Sequence, residues 1–272
     1  MIVYPVAKIN IGLRITEKRE DGFHNLETIF YPVKGIEDAL EVVRADTFNF
    51  SMTGLPVDGI PDDNLVVKAY HMWQEKFGLP PVHIHLHKAI PTGAGLGGGS
   101  SDGAAMLQLL NEFFNLEMTS DKMMKDALSL GSDCPFFIQE RPVFATGRGE
   151  IMDPVELNLS DFHLIIVKPD SRISTAEAYA HVHPQQTRIS LKALIDFPIG
   201  RWRGNIQNQF EKYVFSLCPE VEQLKRILYD NGASFALMSG SGSAVYGLFH
   251  SEKRGLEELF PATWQVFRQK LG

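Results

Sequence analysis

"PTGAGLGGGSSDGAAML", Pro91–Leu107, is the stretch on which the reading of this chain turns. Six glycines fall between Gly93 and Gly103, and an apolar run follows them. Glycine costs roughly 0.5–1 kcal/mol against alanine inside regular structure, so such a run is either a loose linker or a turn that lets something approach the backbone closely. The residues ahead of it, "PVHIHLHKAIP", alternate as a strand does. Behind it, Ala104, Ala105, Leu107, Leu109, Leu110, Phe113 and Phe114 give a wide apolar helix face over about residues 101–115. A strand, a glycine turn and a helix start together outline an anion site. The first amides of a helix have no partner within it, and the helix dipole is positive there. Glycines let the backbone curl around a phosphate without a Cβ in the way. Ser100 and Ser101 stand where a hydroxyl caps the helix, meets a phosphate oxygen or reaches a magnesium ion.

Other readings of the run are weaker. Gly93-Ala94-Gly95-Leu96-Gly97-Gly98 does match the G-x-G-x-x-G of dinucleotide-binding folds. That motif needs a second apolar strand and an acid ~20 residues on. Glu117 stands at that distance, but "NLEMTSDKMM" is polar and starts a helix. A Walker A loop needs Gly-Lys-Ser/Thr, and no lysine follows these glycines. A flexible linker would not run straight into an apolar helix.

The chain has 272 residues, 44% of them hydrophobic, and a formal charge of −7. This is globular composition with material for a sizeable core, of one large domain or two. An acidic chain without a basic block is a poor partner for nucleic acid or an anionic membrane. Two cysteines, Cys134 and Cys218, make no disulfide framework and suit a reducing cytoplasm. Neither a signal-peptide layout nor an apolar run near ~20 residues is present, so no membrane span is expected. Monomer and homodimer remain equally open.

Working outward, Ile9, Ile11, Leu13 and Ile15 alternate as a strand, "REDGFHN" turns, and "LETIFYPV" and "ALEVVRADTFNFSMTG" read as further strands. "DNLVVKAYHMWQEKFG" has helix spacing, with Asn64 or Asp63 as cap and Gly78 as stop. A second helix runs from Thr119 or Ser120 to Leu130, and "GSDCPFF" interrupts it. Later come strands at "RPVFATGRGEIM" and "FHLIIVKP", and helices near 175–183, 205–216 and 219–231. "SFALMSGSGSAVYGLF" then reads as strand, glycine turn, strand, and "SEKRGLEELFP" as an exposed helix. The mixture is α+β. His83, His85 and His87 share one strand face at a zinc-compatible spacing, but no residue set completes a site, so a solvated face is expected.

Taken together, the motifs resemble the GHMP kinases. Pro91–Leu107 is similar to their second motif, and "MSGSGSAVYG" to their third. "YPVAKINIGLRI", "REDGFHNLETIF" and "GSDCPFF" are similar to the branch that phosphorylates the 2-hydroxyl of a cytidine diphosphate methylerythritol for non-mevalonate isoprenoid synthesis. Gly103 and Cys134 depart from the usual alanine and valine. The resemblance implies a two-domain α+β kinase with its active site in the interdomain cleft, and a division into residues 1–157 and 158–272. It implies ATP with Mg2+, the phosphates lying against Pro91, Gly93, Ala94, Gly95, Leu96, Gly97, Gly98, Gly99, Ser100 and Ser101. A mevalonate or homoserine kinase of the same family is the nearest alternative, and a nicotinamide oxidoreductase the more distant one.

Site roles follow in the same terms. On residue type alone Asp133 is a turn or helix cap; the resemblance makes it the general base. Lys8, in an apolar strand, needs a partner if buried, and by resemblance that partner is Asp133, whose charge it supports. Asn10 shares Lys8's strand face and has an amide suited to a polyol. Phe23 offers a face to a cytosine and His24 its hydrogen bonds. Tyr179 is expected as a second stacking face, and Thr175 near the diphosphate. Asn64 either touches adenine or caps its helix. Ser101 is the candidate magnesium ligand.

Overall fold

The structure is a computed structural model that describes residues 1–185 and 189–272. Its strands and helices run β1 (Ile2–Val3), β2 (Val6–Lys18), β3 (His24–Glu37), β4 (Ala39–Arg44), β5 (Asn49–Gly54), α1 (Leu65–Phe77), β6 (Val82–Lys88), α2 (Gly98–Phe113), α3 (Ser120–Leu130) and α4 (Cys134–Gln139). Then come β7 (Val143–Thr146), β8 (Ile151–Pro154), β9 (His163–Lys168), α5 (Thr175–Ala180), α6 (Leu191–Leu194), α7 (Glu211–Leu217), α8 (Pro219–Asp230), β10 (Phe235–Met238), β11 (Val245–Phe249) and β12 (Gln265–Lys270).

The chain folds as two compact units that interleave along the sequence. One takes Met1–Ala7, Lys34–Thr92 and Gly97–Arg141; the other takes Lys8–Val33, Gly93–Leu96 and Pro142–Gly272. The glycine run passes from the second unit to the first between Leu96 and Gly97.

In the first unit the sheet order is β1-β4-β6-β5, with β5 and β6 parallel. A parallel pair needs a crossover, and α1 supplies it. Asn64 caps α1, its side chain accepting from the Val66 amide, and Gly78 ends the helix in the left-handed region at φ 65°. Both ends fall where the spacing predicts them. The α1 face of Val66, Val67, Ala69, Tyr70 and Trp73 is buried. Gly103 explains itself here: a Cβ on it would lie 2.9 Å from Leu65 Cβ, so alanine would push α2 off the start of α1.

The second unit holds two sheets, ordered β2-β3-β7-β8 and β10-β11-β9-β12. Lys8 to Ile15 of β2 are buried without interruption. Leu13 and Ile15 join Ile165, Val167, Leu224, Leu228, Met238 and Val245 in one core cluster with α8.

Three sequence expectations need correction. Helix α2 starts at Gly98, not near Ser101, and neither serine caps it: the cap is Gly97 at φ 73°, with no side-chain bond. "SEKRGLEELFP" yields only a 3-10 turn at Leu256–Leu259, because Gly255 breaks the helix at φ 78° and Pro261 follows. Residues 205–210 are not helical. Asn208 spends its side-chain NH2 on the carbonyls of Met238 and Gly240, at 2.8 and 2.7 Å, which draws this stretch onto the second glycine turn. Strand β12, which no sequence signal had marked, pairs antiparallel with β9.

Candidate active site

In the second unit, Gly93–Leu96 is held against the turn after β10 by contacts that only glycine permits. A Cβ on Gly95, at φ 80°, would sit 1.9 Å from the Ser239 carbonyl oxygen, and one on Gly242 would sit 2.2 Å from Ala94 C. Ser239 Oγ donates to the Gly95 carbonyl at 2.8 Å. "SGSGS" therefore braces the first glycine run.

Downstream, in the first unit, the run changes character. The first bond within α2 is from Ser101 N–H to the Gly97 carbonyl, 2.9 Å, so the amides of Gly98, Gly99 and Ser100 precede the helical ladder. The first turn carries no acidic side chain to occupy them. Gly99 is exposed, and a Cβ built on it meets nothing within 4 Å. This is a helix start left open for an anion. Ser100 bonds the Cys134 thiol, and burial pushes that thiol up to about 12. Ser101, the proposed magnesium ligand, is only 1% exposed.

Lys8 is 3% exposed, and its backbone N–H donates to the Leu96 carbonyl at 2.9 Å. Its ammonium donates to Asn10 Oδ1 and lies 5.0 Å from the Phe30 ring centre. Asn10 donates in turn to Thr28 Oγ1 at 2.9 Å, and Thr28 to the Gly12 carbonyl at 2.6 Å. The Asn10 amide thus orients the lysine through a buried relay. In the first unit, Asp133 stands at the N-cap position of α4 but makes no capping bond with its side chain.

The second unit also brings together part of the expected base pocket. His24 and Tyr179 have ring centres 5.2 Å apart at 33°, and Tyr179 packs edge-on against Phe210 at 4.9 Å. Partial burial, then the nearby Lys18 charge, push the His24 imidazole below its usual pKa and favour the neutral ring, which both donates and accepts. Phe23 is 49% exposed, with the Arg148 guanidinium 3.8 Å from its ring centre. Thr175 Oγ1 lies 2.9 Å from Ser241 Oγ, tying α5 to the second glycine turn. Asn64 is committed to capping α1.

The histidine row of β6 behaves as a surface face, with His83 and His87 exposed between buried Val82, Ile84, Leu86 and Lys88. Thr53 Oγ1 lies within 3.0 Å of His85 Nε2 and 2.9 Å of His87 Nδ1. Among the described residues no group of three His, Cys, Asp or Glu side chains could hold a metal ion. The sequence reading missed one ionic cluster in the first unit. Lys88 Nζ meets Asp38 Oδ2 and, at 2.6 Å, Asp102 Oδ2, all three side chains being at most 3% exposed. Burial pushes the Asp102 carboxyl up to about 8; Lys88 opposes that and Asp38 adds to it.

The pattern of the GHMP kinases N terminal domain matches residues 64–141, and that of the GHMP kinases C terminal matches residues 191–261. The chain belongs to the GHMP kinases. It is 50% identical over 249 residues to a protein of Parabacteroides distasonis named 4-diphosphocytidyl-2-C-methyl-D-erythritol kinase, covering 92% of each chain. A crystal structure of 4-(cytidine 5'-diphospho)-2C-methyl-D-erythritol kinase superposes on this GHMP kinase with a TM-score of 0.82 at 31% identity, covering 98% of both chains. The mevalonate kinase of Methanococcus jannaschii shares the fold alone, at a TM-score of 0.73 and 16% identity. Family membership makes the chain a phosphotransferase of small-molecule metabolism with ATP as donor. It removes the dinucleotide reading: α3 stands where that reading needs a second strand. Among the described residues, no helix of this GHMP kinase is long and apolar enough to cross a membrane.

Proposed function

We propose that this GHMP kinase transfers the γ-phosphoryl group of ATP to the 2-hydroxyl of 4-diphosphocytidyl-2-C-methyl-D-erythritol, giving ADP and the 2-phosphate. The observation that carries the reading is the open start of α2, with three amides ahead of the helical ladder, no acid in its first turn and free space over Gly99. Identity of 50% to a relative of that name supports the acceptor.

The chemistry assigns as follows. Phosphoryl transfer needs alignment and charge stabilisation more than covalent help. The amides of Gly98, Gly99 and Ser100 receive phosphate oxygens, with Pro91 to Leu96 shaping the approach. Asp133 takes the proton of the acceptor hydroxyl. That hydroxyl is tertiary, which raises the demand on positioning. Lys8, aimed by Asn10, offsets the negative charge developing on the oxygen. His24 and Tyr179 receive the cytosine, one by its edge and one by its face, while Phe23 and Thr175 flank the cytidine diphosphate. Asn64 borders the adenine through the outer part of its amide. Magnesium, bound with ATP, would supply charge neutralisation on the phosphates, and Ser101 would be its protein ligand.

Purified protein offered ATP with each alcohol in turn tests the reading by ADP release. Turnover is expected with the cytidylyl compound and not with homoserine or mevalonate. Turnover with homoserine alone would reverse the assignment.

A further inference from the structure

The buried cluster of Asp38, Lys88 and Asp102 lies outside every role assigned above. Lys88 ends β6, Asp38 sits between β3 and β4, and Asp102 is in the second turn of α2. Asp38 accepts from the Ala89 and Ile90 amides through Oδ1, at 2.6 and 2.8 Å, and from Lys88 through Oδ2. It fixes the backbone just before the glycine run. Asp102 Oδ2 accepts from the same ammonium at 2.6 Å, while its Oδ1 is buried with no hydrogen-bond partner among the described residues. The ammonium also touches the helix start itself. A Cβ on Gly98 would lie 3.2 Å from Lys88 Nζ and 2.9 Å from Ile90 Cγ2, so only glycine lets the first residue of α2 settle there.

Burying one ammonium with two carboxylates is costly, and a well-packed apolar trio often serves stability as well or better. The cluster does something apolar residues cannot. It bonds the strand end to the helix start across the glycine run, and it sets an ammonium beside Gly98, the first residue of α2. A cation at a helix N-terminus opposes the dipole. The two carboxylates offset that, so the cluster acts on the helix start by position and not by net charge.

We propose that Asp38, Lys88 and Asp102 form a positioning clamp for the nucleotide phosphates, fixing where the Gly98–Ser100 amides point. The proposal rests on the reading that ATP phosphates occupy this helix start. It predicts a selective effect: affinity for ATP depends on the clamp and affinity for the acceptor does not.

The test compares Lys88→Met, a charge-free triple variant (Lys88→Met, Asp38→Asn, Asp102→Asn) and Gly99→Leu, by KM for each substrate and by thermal unfolding without ligand. The triple variant keeps volume nearly constant and leaves no unpaired charge, so it covers the case in which Lys88→Met does not fold. The clamp variants are expected to raise KM for ATP at least tenfold while KM for the acceptor stays within about twofold. A lower melting temperature or kcat with both KM values unchanged would make the cluster merely structural and overturn the proposal, as would an equal rise in both. If Gly99→Leu leaves ATP affinity unchanged, the placement of the phosphates fails, and the clamp with it. If Gly99→Leu weakens ATP and the clamp variants do not, the clamp alone fails. Hydrogen exchange on the unaltered protein is an arm independent of refolding. ATP is expected to slow exchange at residues 88–90 together with 98–101, and protection confined to 98–101 would overturn the coupling.

Discussion

Replacing Gly99 by leucine puts the phosphate cradle to a clean test, because the protein itself has no objection to the side chain. The position is exposed, a Cβ there meets nothing within 4 Å, and its backbone is helical. Leucine is preferred over glycine in helices by about 0.8 kcal/mol, so the free protein should be as stable as the parent or slightly more so. The bulk nevertheless projects from the first turn, among the amides that would receive phosphate. A hydrogen bond to a charged group contributes about 1.5–3 kcal/mol, and losing one corresponds to roughly 10- to 150-fold in affinity. Titration calorimetry with ATP, or KM for ATP at saturating acceptor, reads that loss, while the unliganded melting temperature and the acceptor KM serve as controls. Unchanged ATP affinity in a well-folded variant would refute the reasoning. Gly95→Ala gives the contrast: its Cβ would lie 1.9 Å from the Ser239 carbonyl oxygen, so it should damage folding before any question of ligand arises.

Further outcomes follow from the site. Asp133→Asn should lose turnover by ~100-fold or more with KM for ATP little changed; near-normal kcat in a steady-state assay would remove Asp133 as base. Lys8→Met should lower kcat on a similar ~100-fold scale and also lower the melting temperature, because Asn10 Oδ1 loses its buried donor; intact turnover would dismiss the lysine. Tyr179→Leu should raise KM for the cytidylyl acceptor by roughly 10- to 100-fold, the scale of about 1–3 kcal/mol for stacking a base on an aromatic ring, and leave KM for ATP alone. With the His24 pKa lowered, its neutral ring persists through pH 7, so acceptor KM should be flat between pH 7 and 8 and rise only below about 6.5, where protonation removes the acceptor nitrogen.

Much of this arrangement is legible in the residues. The α1 ends are written by Asn64 and Gly78, and the bracing of the first glycine run by the second follows from glycines where backbones touch. The start of α2 was misplaced because glycine's low helix propensity argues against a helix at Gly98 and Gly99, while the left-handed Gly97 ahead of them opens the turn. The ionic cluster escaped because its partners lie 50 and 14 residues from Lys88, beyond local pattern. A signal was nevertheless present: Val82, Ile84 and Leu86 alternate inward, and Lys88 continues their parity. Strand β12 is half-exposed and mixed in polarity, so it offers no clear period of two.

A crystal structure with a non-hydrolysable ATP analogue addresses the central claim most directly. The account predicts phosphate oxygens within hydrogen-bond distance, about 3 Å, of the Gly98, Gly99 and Ser100 amides. Phosphates bound anywhere else on the molecule, with those amides still facing water, would contradict it.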